Sequence, residues 1–305
     1  FSLLGEQDTF QQSGNTFTQR KIDILWVIDN SGSMQTSQAN LVSNFTSFIN
    51  RFQTLGFDYH MAVTTSDAYL ADPFFNNSHS YYMPNNGKFK DGFTGTYGYG
   101  KTGIFVMTPA NTTADVFKKN ISMGASGSGD ERVFSSMIQA LNDPQNASLG
   151  FRRPDAFLSV IILSDEDDFS GTATNDDHFY PNNAQNYVGD KNYNAPNPLL
   201  RPISYYVGLL DTYAGGHDNY SVSSLYTDSA ACKTQLDGVY PGSRIIAQRM
   251  PALSDATKGQ KGSLCGDFGA TLNMVTNSVI ALASIFKLDR LPQVPTIRVT
   301  VNGMS

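Results

Sequence analysis

With 40% hydrophobic and 16% charged side chains over 305 residues, the chain carries enough apolar surface for one large core, which excludes a disordered polypeptide. A net charge of −6 supplies no basic field for phosphate backbones, which sets nucleic acid aside as a partner. No apolar run approaches the roughly 20 residues of a bilayer span; the longest, 157–163 and 279–286, are of core length.

Residues 1–19 read as an N-terminal extension with the capacity for a β-strand. Residues 22–28 are an unbroken apolar run apart from Asp23, the mark of a strand covered on both faces. Residues 35–55, with Leu41, Phe45, Phe48, Ile49 and Phe52 recurring on one helical face, predict an amphipathic helix. Strands are predicted at 57–65 and 104–108, helices at 113–120 and 131–141, and buried strands at 157–163 and 203–210. Helices at 243–253 and 268–286 flank a last short strand at 262–265, and 288–305 alternates as a C-terminal β segment. This alternation predicts an α/β fold over residues 20–287: a Rossmann-like, doubly wound, mostly parallel central sheet flanked by helices, with one antiparallel edge. Three long insertions, 67–103, 169–202 and 211–242, are expected to leave the carboxyl edge of that sheet, where ligands bind in such folds. The first is rich in Tyr and Phe spaced by Gly and Asn, which suits either a recognition surface or self-packing hairpins.

The first strand runs into Asp29-Asn30-Ser31-Gly32-Ser33. Asp29, Ser31 and Ser33 offer hard oxygen donors that suit Mg²⁺, Mn²⁺ or Ca²⁺, although Asp and Ser at a helix start also serve as plain caps. Cys232 and Cys265 are expected to pair, closing a loop of 34 residues in an oxidising compartment. Catalysis has little support. The four histidines, His60, His79, His178 and His217, lack metalloprotease spacing, and neither a Gly-x-Ser-x-Gly elbow nor a phosphate-cradling Gly-x-x-x-x-Gly-Lys loop is present. Asp176, Asp177 and His178 read as solvated turn residues rather than as a second cation site.

The Asp-x-Ser-x-Ser pattern closing an apolar strand resembles the first half of the metal-ion-dependent adhesion site (MIDAS) of von Willebrand factor type A (vWA) domains. The match to the family's third element is Asp165, at the end of the apolar run 157–164. Between them, where the family has a Thr in a Gly-rich loop, stands Gly124-Ala125-Ser126-Gly127-Ser128-Gly129-Asp130-Glu131. Ser128, or failing it Ser126, takes that place, and Glu131 is a departure from common I domains. The stretch Ser164-Asp165-Glu166-Asp167-Asp168 is similar to one in bacterial surface lipoproteins of the family, including gliding-motility adhesins. Residues 166–168 are expected to be a solvated loop or helix start, with a role behind the metal ligands as the alternative.

The resemblance implies a non-enzymatic adhesion or ligand-binding domain. Ser31, Ser33 and Ser128 would contact a divalent cation, Mg²⁺ first, while Asp29 and Asp165 act through water. A carboxylate of a protein or glycan partner would complete the shell. The implied location is the outer-membrane surface, the periplasm or the extracellular space, with membrane attachment only through an N-terminal lipid anchor not present in these 305 residues. A structural surface module whose metal only stabilises, or a metal-dependent hydrolase, are the alternatives.

Overall fold

The computed structural model describes residues 21–54, 56–72, 83–171, 200–241 and 244–283. The expected terminal β segments and the Asp176-Asp177-His178 cluster lie outside the described residues. In chain order the elements are β1 (Ile22–Ile28), α1 (Gln35–Thr54), β2 (Tyr59–Thr65), β3 (Gly92–Phe93), β4 (Gly100–Lys101), α2 (Ala114–Ile121), α3 (Val133–Asn142), α4 (Pro144–Ser148) and β5 (Phe157–Leu163). They continue with α5 (Ile203–Ala214), β6 (Tyr220–Tyr226), α6 (Ala230–Val239), α7 (Arg249–Ala256), β7 (Lys261–Ser263) and α8 (Phe268–Ala283). Five strands form one parallel sheet in the order β2-β1-β5-β6-β7, and β3-β4 is a separate two-stranded antiparallel ribbon.

Alternation along β1 explains its unbroken apolar sequence. Ile22, Ile24, Trp26 and Ile28 point into one core with Phe48 and Phe52 of α1, Phe117 of α2 and Leu272 and Val275 of α8. Leu25 and Val27 point into the other, with Phe134 and Met137 of α3, Tyr206 and Leu210 of α5 and Met250 of α7. Both faces are therefore dry, as a parallel sheet requires. Trp26 meets Phe48 and Phe117 edge-on, with ring centroids 5.2 and 6.0 Å apart. Within the aromatic insertion, Tyr69 and Phe89 are buried, Phe89 against Phe151, whereas Tyr97 and Tyr99 are about half exposed.

Three elements differ from expectation. Residues 203–210 form the helix α5 and not a strand: Tyr206, Leu210 and Ala214 recur every fourth residue on its buried face, and Gly215 closes it in the left-handed conformation. The strand is β6, inside the stretch 211–242 that reads as an insertion. All seven residues of β6 are buried, but Ser221, Ser223 and Ser224 make it look polar. Two of those hydroxyls are internally satisfied: Ser224 Oγ meets Ser254 Oγ at 2.7 Å, and Ser223 Oγ accepts from Gln260 N. The strand expected at 104–108 shrinks to one antiparallel bridge, in which Met61 and Met107 exchange backbone hydrogen bonds of 2.8 Å.

At the amino edge of the sheet, Asp23 of β1 is fully buried. It accepts from Arg153 N at 2.7 Å and Arg153 Nε at 2.8 Å, with Arg152 Nη1 at 3.2 Å. The Cys232–Cys265 disulfide ties α6 to the segment ahead of α8, a closure worth about 3 to 4 kcal/mol by loop entropy. Asp23→Ala strands two largely buried guanidinium groups. It is expected to lower the unfolding free energy by about 3 kcal/mol, read by urea denaturation with an unchanged slope.

Candidate metal centre at the carboxyl edge

β1 and β5 are neighbours in parallel register, Ile28 opposite Leu163, so the residues that follow them emerge side by side. Asp29 N continues the ladder onto Leu163 O at 2.9 Å. The chain then turns sharply: Ser31 N donates to Asp29 Oδ1 at 2.8 Å. Ser31 Oγ lies 3.0 Å from Ser33 Oγ, and Ser33 Oγ donates to Asp165 Oδ1 at 3.0 Å. Ser164 Oγ donates to Asp29 Oδ2 at 2.7 Å. Asp29, Ser31, Ser33 and Asp165 are thus joined in one connected set although 132 residues separate Ser33 from Asp165.

The loop at 124–131 is fastened to this turn. Gln38 of α1 donates through Nε2 to Asp29 O and Gly124 O, at 2.8 and 2.6 Å. Gly127 N donates to Asn30 O at 2.7 Å, and a Cβ on Gly127 would stand 2.5 Å from the Asn30 carboxamide, so a larger residue would displace that side chain from Asp67. Gly124 has φ +75° and would clash with the Phe93 ring if it carried a Cβ. Ser128 is half-buried, and its hydroxyl accepts from Asp130 N at 3.1 Å. Ser126 is exposed. Among the described residues no hydrogen bond joins either serine to Ser31, Ser33, Asp29 or Asp165. Glu131 is buried just before α3, where its carbonyl accepts from Phe169 N.

Four residues of the site escaped sequence reasoning. Ser66 and Asp67 directly follow β2 at the same sheet edge, and that position is the signal that would have found them. Ser66 Oγ lies 3.3 Å from Asp29 Oδ1, while Asp67 accepts from Asn30 Nδ2 and Ser128 N, both at 3.1 Å. Ser164 stands beside Asp165 in the pattern already singled out. Arg244 carries no local signal. Its buried guanidinium places Nε 2.5 Å from Asp165 Oδ2 and Nη2 3.2 Å from Ser33 O.

The acidic run is not solvated. Asp165, Asp167 and Asp168 are fully buried and Glu166 nearly so. Asp167 accepts from the amides of Gln248, Arg249 and Met250 at the start of α7, and Asp168 accepts from Phe134 N at the start of α3 and from Arg249 Nη2 at 3.0 Å. Orphan helix-terminal amides, rather than water, are what these carboxylates satisfy.

Burial, reinforced by the charge of Asp165, pushes the Asp29 carboxyl well above the usual carboxylate range. Burial also raises Asp165, against the pull of Arg244. Among the described residues no three His, Cys, Asp or Glu side chains converge as ligands. A cation here therefore has to draw on hydroxyl and water oxygens beside the two carboxylates. Asp29, Ser31, Ser33 and Asp165 fit a hard divalent ion on that ground, since every donor is oxygen.

No protein-family model and no curated protein sequence matches the chain. Among solved structures it is similar to proximal thread matrix protein 1 from the mussel byssus, at 12% identity and TM-score 0.42, over 87% of this chain and 48% of that one. A form of that protein with a zinc-occupied MIDAS motif is similar at 12% identity and TM-score 0.40, over 87% and 48%. The pilus adhesin SpaC from Lactobacillus rhamnosus GG is similar at 11% identity and TM-score 0.44, over 87% of this chain and 30% of that one. These solved neighbours are vWA-domain proteins. The chain spans less than half the length of each, and at such TM-scores the likeness bears on neither ligand nor activity.

Asp167→Ala removes the acceptor for three amides at the α7 terminus. It is expected to cost about 2 kcal/mol, read as a lower urea midpoint.

Proposed function

We propose that the chain is a vWA-type ligand-binding module whose Asp29, Ser31, Ser33 and Asp165 hold a divalent cation that anchors an acidic group of a protein or glycan partner. One observation carries this reading: the connected hydrogen bonds from Asp29 through Ser31 and Ser33 to Asp165. They lie at the crevice between β1 and β5, where the sheet order β2-β1-β5-β6-β7 reverses direction, the usual ligand position in open α/β sheets.

When bound, the cation supplies Lewis acidity toward a partner carboxylate. The chain's own share follows from its hydrogen bonds. Asp29 is engaged by Ser31 N and Ser164 Oγ, and Asp165 by Ser33 Oγ and Arg244 Nε. Both carboxylates are thereby set back, and the neutral hydroxyls of Ser31 and Ser33 are left as the inner donors. A nearly neutral shell preserves attraction for an external carboxylate. Ser128 remains the proposed third hydroxyl, ahead of Ser126, and would give up its hydrogen bond from Asp130 N to serve there. Mg²⁺ suits this donor set first, with Mn²⁺ and Ca²⁺ next.

A disulfide is at home outside the cytoplasm, which supports the outer-membrane surface, the periplasm or the extracellular space. Among the described residues no helix is long and apolar enough to cross a membrane. We propose no enzymatic role. His60 is bonded to Gly150 O and Phe151 O, and His217 to Asp211; both sit at the amino edge, away from the site. A purely structural module is the second reading, favoured by the Asp165–Arg244 pair that satisfies the turn internally.

Titration calorimetry with MgCl₂ and MnCl₂ tests the proposal. Saturable binding is expected in the wild type and its loss in Asp29→Ala and Ser33→Ala, with circular dichroism unchanged. A cation at 100 times its dissociation constant should raise stability by about 2.7 kcal/mol. The absence of saturable binding by the wild type in the millimolar range sinks the reading. If a cation binds but EDTA leaves adhesion to carboxylate-bearing surfaces unaltered, the structural module takes its place.

A further inference from the structure

We propose that Arg244 is a built-in counter-cation of this site: it holds the site's cation affinity down and keeps the cation-free turn folded. The inference rests on the metal-binding reading above.

Arg244 reaches the site from the connection between α6 and α7, far in sequence from both halves of the MIDAS-like pattern. Its three guanidinium nitrogens are all engaged. Nε is 2.5 Å from Asp165 Oδ2, Nη2 is 3.2 Å from Ser33 O, and Nη1 contacts Tyr240 O at 2.6 Å and Asp237 Oδ1 at 3.0 Å. Only 2% of the residue is exposed. Asp165 therefore divides its two oxygens, Oδ1 to the Ser33 hydroxyl and Oδ2 to a permanent cation. Arginine keeps its charge at any physiological pH, so this compensation is constant.

The charge count gives the consequence. Asp29 and Asp165 carry two negative charges when ionised, and Arg244 cancels one of them at contact distance. A divalent ion entering the site meets one net negative charge instead of two, with the fixed positive charge of Arg244 on Asp165 Oδ2. Its attraction to the protein is smaller, and more of its own charge is left to attract a carboxylate from outside. Without a cation, the same pair spares the protein a buried, unpaired carboxylate, which is otherwise costly. Arg244 is thus a positioning residue that trades cation affinity for partner affinity. Asp237, whose side chain is 25% exposed and which also pairs with Lys233, steadies the guanidinium from the outside.

Competition against a fluorescent chelator measures Mn²⁺ affinity in the wild type, Arg244→Gln and Arg244→Lys, alongside melting temperature in EDTA. For Arg244→Gln we expect Mn²⁺ binding at least about tenfold tighter, the effect of deleting one unit charge at short range, together with a lower melting temperature in EDTA. Arg244→Lys should stay within about threefold of the wild type, because it keeps the charge. Equal or weaker binding by a folded Arg244→Gln overturns the inference while leaving the metal-binding reading intact. If the wild type itself shows no saturable Mn²⁺ binding, both fall. Should Arg244→Gln fail to fold, Asp237→Asn decides: the outer compensation is gone, and Mn²⁺ binding should weaken by about threefold. An unchanged or tighter affinity in that variant overturns the inference.

Discussion

The parallel register of β1 on β5 is the constraint from which the site follows. With Ile28 opposite Leu163, the two strands end together, and Asp29 and Asp165 have to share one crevice. Carboxylates so placed lose water, which is expensive unless donors replace it. Most of the polar architecture at this edge is that replacement: Ser31 N, Ser66 Oγ and Ser164 Oγ for Asp29, Ser33 Oγ and Arg244 for Asp165.

The compensation is uneven from one carboxylate to the next. Asp23, at the opposite edge, is matched by Arg152 and Arg153, and Asp168 by Arg249 and an α3 amide. Asp167 is matched by three amides at the start of α7. These acids hold elements together: Asp167 and Asp168 pin the starts of α7 and α3, which pack on the same face of the sheet, to the segment that follows β5. The hydrogen bonds to Asp29 come from neutral donors, and its neighbour Asp165 adds like charge.

The elements legible from sequence were those whose pattern matched their environment. β1 and β5 are apolar apart from Asp23 and Ser159 because both faces are covered, and their ends announce Asp29 and Asp165. β6 is hidden because its serines look polar, while Ser224 and Ser223 find partners on α7 and ahead of β7, contacts with no local trace. The helix α5 reads as a strand in sequence because an apolar run of that length looks alike in either state until its neighbours choose the period. The acidic run 166–168 read as solvated for the same reason: the helix termini that bury it are contributed by residues 133–134 and 248–250, remote in sequence.

By itself the sequence determined the alternating α/β order, the two-sided burial of the first strand and the oxygen-rich turn at its end. All of these depend on residues within a few positions of one another. Tertiary structure alone decided that Ser33 meets Asp165, that Ser128 turns toward Asp130, that Ser66 and Asp67 join the edge and that Arg244 closes on the site. Each of these is set by strand order and chain crossover, which bring together groups whose spacing along the chain carries no record of the contact.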